Sequence, residues 1–129
     1  MLNLNQKNIF ITGASSGIGK ACAILASNLG ANVVLIGRNK ERLQETLNNL
    51  KKGNHLYYAI DITDYSILEK IIDESVEKIG KISGFIHSAG IETTKPLQAM
   101  SAPVYEKLFA TNIISAFEIS KHLSKKKNL

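Results

Sequence analysis

The chain has 129 residues, 44% apolar and 21% charged, with a formal net charge of +5; that is enough to bury one core and argues against a disordered chain. The single cysteine, Cys22, excludes an intramolecular disulfide and the multi-cysteine zinc patterns. No apolar run approaches the roughly 18 residues of a membrane span, and the opening MLNLNQKN lacks a charged-then-apolar leader, so the expectation is a protein of the reducing cytoplasm with no membrane partner.

Short apolar runs alternate with amphipathic stretches. Residues 8–12, with Ile9, Phe10 and Ile11 in succession, read as a buried strand. Residues 17–29 read as a helix whose stripe is Ile18, Cys22, Leu25, Ala26 and Leu29, stopped by Gly30; Cys22 is expected to be a small core residue. Val33 to Ile36 form a second strand. A second helix runs from Asn39 or Lys40 to Leu50, with Leu43, Leu47 and Leu50 on one face. Residues 55–60 are a third strand. Thr63 or Asp64 can cap a third helix striped by Leu68, Ile71, Ile72, Val76 and Ile79 and ended by Gly80. Residues 82–88 are a fourth strand, followed by a loop to about Pro103. One long last helix then runs toward Lys125.

Strands that are apolar runs, each followed by a helix, indicate a parallel sheet covered on both faces. Right-handed crossovers give the strand order 3-2-1-4. Much of the excess positive charge lies in Lys121, Lys125, Lys126 and Lys127. Lysines at a helix C-terminus suit the macrodipole there. No basic face with interleaved aromatics accompanies them, so no nucleic-acid partner is expected.

The stretch FITGASSGIGKA joins the first strand to the first helix, a layout that aims free backbone amides at an anion. A nucleoside-triphosphate loop does not fit. Five residues, not four, separate Gly13 from Gly19-Lys20, and Ala21 supplies no hydroxyl for magnesium. The G-x-G-x-x-G spacing also fails, because Cys22 stands where its third glycine would be. What is present is Thr12-Gly13-x-x-x-Gly17-Ile18-Gly19. In it Gly13 allows a tight exit from the strand, Gly17 a close backbone approach to a pyrophosphate, and Gly19 close helix–sheet packing. Ser15 and Ser16 add hydroxyl donors.

This pattern resembles the T-G-x-x-x-G-x-G loop of the short-chain dehydrogenase/reductase family, and the resemblance extends over essentially the whole chain. It implies a three-layer, Rossmann-like, doubly wound α/β sheet that is incomplete here, in a single NAD(P)-binding domain. The end of the second strand carries Gly37 and Arg38 where an NAD-binding chain would place a carboxylate. A guanidinium can pair with a 2′-phosphate, so NADP is expected over NAD. Asp61 and Ile62 match the family's adenine contacts. Ser88-Ala89-Gly90 resembles its Asn-Ala-Gly motif, with Ser88 for asparagine. His87 reads as a core or sheet residue. Asn112 matches the active-site asparagine, whose helix distortion the family uses to place a water beside a catalytic lysine.

The resemblance also implies hydride transfer between nicotinamide and a ketone or secondary alcohol, with a serine and a Tyr-x-x-x-Lys pair as catalytic groups. Four residues after Tyr57, Tyr58, Tyr65 and Tyr105 stand Asp61, Ile62, Glu69 and Phe109, so none begins such a pair. The chain therefore reads as the front half of such an enzyme, inactive alone. A split enzyme and a non-catalytic dinucleotide-binding module are the alternatives. A small-molecule substrate is expected only on completion, and the full-length form is expected to be a homo-oligomer. An uncovered fourth strand and apolar residues on the last helix (Val104, Leu108, Ile114, Ile119 and Leu123) predict marginal stability and aggregation of the chain alone.

Overall fold

The strand–helix alternation persists in the computed structural model, which describes residues 2–129. In chain order the elements are β1 (Asn8–Thr12), α1 (Gly17–Asn28), β2 (Asn32–Gly37), α2 (Lys40–Asn48), β3 (Leu56–Ala59), α3 (Tyr65–Ile79), β4 (Gly84–His87), a 3₁₀ turn (Leu97–Ala99), α4 (Ala102–Phe109), a π-helical turn (Ala110–Ile114) and α5 (Ser115–Leu123). The strands form one sheet in the order β3-β2-β1-β4. Every pairing is parallel, with Phe10 opposite Val34 on one side and Phe85 on the other. The expected order is thus the observed one.

Successive strand residues face opposite sides of a sheet, so two cores form. Phe10, Val34 and Ile36 face Leu68, Ile71 and Ile72 of α3 and Ile119 and Leu123 of α5. Ile11, Val33 and Leu35 face Ala23 and Ala26 of α1 and Leu43 of α2. Phe10 and Phe85 meet edge to face, with ring centroids 6.1 Å apart. Each of the fully buried large side chains contributes about 1.5–3 kcal/mol of burial free energy. That is why alternating halves of an all-apolar strand belong to different layers.

The buried face of α1 differs from the expected stripe. Gly19, Ala23, Ala26 and Ser27 are buried, whereas Ile18 and Leu25 are 75% and 60% exposed. Cys22 is half-buried, not a core residue. The helix lies close to the sheet, and only small side chains fit beneath it. Periodicity weighted by hydrophobicity therefore selects the wrong face. The last helix also differs, being α4 and α5 joined through the π turn.

At the amino ends of the strands, Asn8 acts as a clamp. Its amide donates to the Ile79 and Lys81 carbonyls, both at 2.9 Å, and its Oδ1 accepts from Asn32 at 3.0 Å. This fixes the α3–β4 connection and leaves the opposite, carboxyl end of the sheet for the loops that follow the strands.

Candidate functional site

A cavity of about 930 Å³ opens at the carboxyl ends of the four strands. Gly13 follows β1, Gly37 ends β2, Ile60 and Asp61 follow β3, and Ser88 follows β4, and all of them line it. A crevice at this end of a parallel sheet, where strand order reverses about β1, is where doubly wound folds take ligands.

The glycine loop forms one wall. Gly13 has φ +67°, and a Cβ there would stand 2.6 Å from the Ala89 nitrogen and the Ser88 carbonyl carbon. The loop thus lies directly against the segment after β4. A Cβ on Gly19 would run into the Gly13 carbonyl. Gly17 is the opposite case, with φ +57° and open space where a Cβ would project. The loop is further pinned by Ala14 N–H to the Ile36 carbonyl at 3.1 Å. Thr46 of α2 donates its buried hydroxyl to the Ala14 carbonyl at 3.0 Å.

Among the helix starts beside this cavity, those of α1 and α2 contrast, and that of α4, whose Pro103 also lines it, is uncapped like α1. Asn39 caps α2 by accepting from Arg42 N–H at 2.9 Å, and Glu41 lies in its first turn. Ser16 stands at the N-cap of α1 without a side-chain cap bond, and the first turn holds no acid. The α1 amides thus keep their hydrogen-bonding capacity and positive field for an anion. The serine hydroxyls, the open Cβ position of Gly17 and these amides fit a diphosphate. Among the described residues no cluster of His, Cys, Asp and Glu is placed to hold a metal ion.

Of the expected cofactor residues, Gly13, Ser15, Ser16, Gly17, Ile18, Arg38, Asp61, Ile62, Ser88, Ala89 and Gly90 all line the cavity. The exposure of Ile18 is exposure at its mouth. Gly19 lies behind the loop, in its packing role. Asp61 Oδ1 accepts from the Thr63 hydroxyl at 2.7 Å and the Thr63 N–H at 2.9 Å. Those two bonds hold its carboxyl below the usual range, against partial desolvation, with smaller help from Arg38 and Lys107.

Asn112 is not among the cavity-lining residues, although its neighbours Ala110 and Thr111 are. Its Oδ1 accepts from Ile91 N–H at 2.8 Å and its Nδ2 donates to the Ile91 carbonyl at 2.9 Å. Both polar atoms therefore fasten the π turn to the segment after β4. The π turn leaves backbone carbonyls in need of donors, and side chains supply them. Ser115 Oγ donates to the Thr111 carbonyl at 2.6 Å, and His87 Nε2 lies 3.2 Å from the Asn112 carbonyl.

His87 pairs with Thr12 across β1 and β4. Thr12 Oγ1 accepts from Ala89 N–H at 3.2 Å, which leaves its own proton for His87 Nδ1 at 2.8 Å. Nε2 then carries the ring hydrogen and donates to Asn112, so the imidazole is the neutral Nε2–H tautomer. Desolvation holds its pKa below the ordinary 6.5, partly opposed by the bonds to the Asn112 and Thr111 carbonyls. Sequence reasoning placed His87 in the sheet but missed this linkage. It also missed Thr46, whose signal, a lone threonine on a polar helix, points to nothing by itself.

Comparison with known proteins agrees with this geometry. A family profile described as short chain dehydrogenase matches residues 7–128. An uncharacterized oxidoreductase of Listeria monocytogenes is 34% identical over 114 residues, covering 87% of this chain and 46% of the relative. The meso-2,3-butanediol dehydrogenase of Serratia marcescens is 31% identical over 130 residues, covering 98% of this chain and 52% of that one. A crystal structure of a dehydrogenase/reductase from Sinorhizobium meliloti 1021 superposes with a TM-score of 0.87 at 31% identity, over 95% of this chain and 50% of that one. The chain spans about half the length of these relatives. With the parallel sheet, the glycine loop and the cavity between them all accounted for, the chain belongs to the short-chain dehydrogenase family, whose members are nicotinamide-dependent oxidoreductases.

Proposed function

We propose that these 129 residues are the cofactor-binding portion, one NAD(P)-binding unit, of an NADP-preferring short-chain dehydrogenase/reductase. Completed by a serine and a Tyr-x-x-x-Lys pair, the enzyme would move hydride between nicotinamide and a ketone or secondary alcohol. The observation that carries the reading is the uncapped, acid-free start of α1 facing a cavity at the carboxyl end of the sheet. The relative named for a secondary alcohol, 2,3-butanediol, supports the substrate class. The presence of Arg38 beside Gly37, with no carboxylate at the end of β2, supports the NADP preference.

In this reading bound NADP supplies the hydride chemistry, and the chain's own residues bind and orient. The amides of Gly17, Ile18 and Gly19 and the hydroxyls of Ser15 and Ser16 hold the diphosphate. Arg38 meets the 2′-phosphate. Asp61 and Ile62 contact the adenine edge, and Ser88, Ala89 and Gly90 form the wall beside nicotinamide. Asn112 is the one member of the catalytic set present, and it acts through the π turn it fastens. The exposed Phe109, Ile113 and Phe117 support self-association of the full-length form. The compartment proposed is the cytoplasm. No described helix is long and apolar enough to cross a membrane.

Calorimetric titration of the chain with NADPH and NADH tests the reading. It predicts saturable binding with NADPH tighter by about tenfold or more, a difference of about 1.4 kcal/mol, and no NADPH oxidation by the chain alone. Equal affinities would refute the NADP preference, and turnover by the chain alone would refute its incompleteness.

A further inference from the structure

Three residues of the cavity wall, Ser88, Ala89 and Gly90, run between two anchors. At their start, the Ser88 N–H donates to the Thr12 carbonyl and the Ala89 N–H to Thr12 Oγ1, both at 3.2 Å. At their end, Asn112 holds both backbone groups of Ile91, and a Cβ on Gly90 would stand 3.4 Å from Asn112 Oδ1. Among the described residues, His87 is the side chain that bonds to both anchors. Its Nδ1 accepts from the Thr12 hydroxyl at 2.8 Å, and its Nε2 donates to the Asn112 carbonyl at 3.2 Å. The ends of β1 and β4 and the π turn are thus joined through one imidazole, which lies against Phe85 with ring centroids 5.9 Å apart.

This junction works in one protonation state. Thr12 is completely buried. A proton on His87 Nδ1 would face the Thr12 hydroxyl hydrogen, and the hydroxyl would have to turn from its acceptor with no water to replace it. The imidazolium charge is equally unprovided for. β1, β4 and the π turn carry no other titratable side chain. Of the flanking helices, α4 offers Tyr105, Glu106 and Lys107, and α5 offers Glu118, Lys121 and His122. Among the described residues none of these pairs with His87, and Glu118 lies 2.7 Å from Lys121 instead. We propose that His87 is a positioning residue for the nicotinamide end of the cofactor. In its neutral Nε2–H form it ties Thr12 to the π turn and so holds Ser88, Ala89 and Gly90 in the shape that receives the ring, and a proton on it loosens that wall. This rests on the reading of the cavity as a nicotinamide dinucleotide site. It goes beyond that reading in giving a residue behind the wall a share of the affinity. Cofactor and proton then oppose each other, each lowering the other's affinity by the same factor. Burial already holds the His87 pKa below the ordinary 6.5, so at about pH 5.5 that factor is at most about tenfold.

The test compares NADP+ with 2′-phospho-ADP-ribose, the same molecule without its nicotinamide ring. The two share the 2′-phosphate and the diphosphate, so the ionisation of those groups cancels in the comparison. Both are titrated by calorimetry into the native chain, His87→Gln and His87→Leu, with circular dichroism to establish that each variant is folded. Between about pH 7.5 and about pH 5.5 the native chain is expected to lose about two- to fivefold more affinity for NADP+ than for the ring-free probe. Glutamine can accept from Thr12 and donate to Asn112 without titrating. His87→Gln is expected to stay within about twofold of the native affinity at about pH 7.5 and to lose the extra pH dependence. His87→Leu is expected to weaken NADP+ about fivefold or more and to leave the probe within about twofold. In the native chain, nitrogen NMR of the His87 ring is expected to show a titration midpoint that NADP+ lowers and the probe does not. Equal pH dependence of the two ligands, a midpoint that NADP+ leaves in place, or an extra dependence that survives in His87→Gln overturns the proposal and leaves the dinucleotide reading standing. Should His87→Leu weaken both ligands alike, the residue serves the fold alone, and the proposal is again overturned. If neither ligand binds the native chain at about pH 7.5, the dinucleotide reading fails and the proposal falls with it.

Discussion

Gly13 and Gly17 sit four residues apart in one loop, both with positive φ, and their surroundings assign them different work. An alanine Cβ at position 13 meets backbone atoms of Ser88 and Ala89 that cannot rotate away. Gly13→Ala is expected to cost about 2–4 kcal/mol of stability, from strain and overpacking together. A Cβ at position 17 meets nothing, so Gly17→Ala costs about 1 kcal/mol of backbone strain but projects into the space proposed for the diphosphate. Denaturant titration and NADPH titration of both variants separate the effects: the first loses mainly stability, the second mainly affinity. At this scale the glycine spacing was legible because its meaning is local, set by neighbours a few residues away. The Thr46–Ala14 and His87–Asn112 contacts were not, because they join residues 32 and 25 positions apart. No pattern in a single sequence marks such pairs.

Strands and helices were legible as elements because apolar runs and amphipathic stripes are strong signals, and the sheet order followed from handedness. The π turn was not. Apolar residues continue from Val104 to Leu123, and neither glycine nor proline marks a break within that stretch. A local side chain, Ser115 Oγ, and one distant in sequence, His87 Nε2, meet the carbonyls it frees. The α1 face was misread for a related reason, since its contact distance to the sheet is a tertiary fact. The His87 contact carries a pH dependence. Above the ordinary pKa of 6.5 the imidazole is neutral both folded and unfolded, and its bond to Asn112 contributes fully. As pH falls below 6.5 the unfolded chain takes up a proton that the folded site resists, so stability falls until the folded His87 also protonates. Urea unfolding between about pH 7.5 and about pH 5.5 is expected to show this decline, and His87→Gln is expected to flatten it. An unchanged slope in the variant would show that other groups cause it.

Across the whole molecule, the basic C-terminal segment turns out to be engaged with α3. Lys125 lies 2.6 Å from Glu69 and Lys127 3.3 Å from Asp73, while the Asn128 carbonyl accepts from Ile82 N–H at 2.8 Å. Sequence reading expected a solvated helix end, because the acidic partners lie on another helix more than 50 residues earlier. Pairs this exposed add little stability, so their role is to lay the segment against the fold. The outer face of α4, the π turn and α5 stays bare. Phe109, Ile113 and Phe117 recur every fourth residue and are 54%, 42% and 71% exposed, a stripe not foreseen in the sequence. If, as proposed, this face joins copies of the full-length form, Phe117→Glu is expected to shift that form toward monomer in sedimentation equilibrium. An unchanged mass would place the contact elsewhere.

The central claim is that the amides opening α1 receive the diphosphate of a nicotinamide dinucleotide. Amide chemical-shift mapping of the ¹⁵N-labelled chain during an NADPH titration addresses it directly. The account predicts saturable shifts that are largest at Gly17, Ile18 and Gly19, with a further shift at Arg38. Saturation with the loop resonances unmoved, or no saturable shift at all, would contradict it.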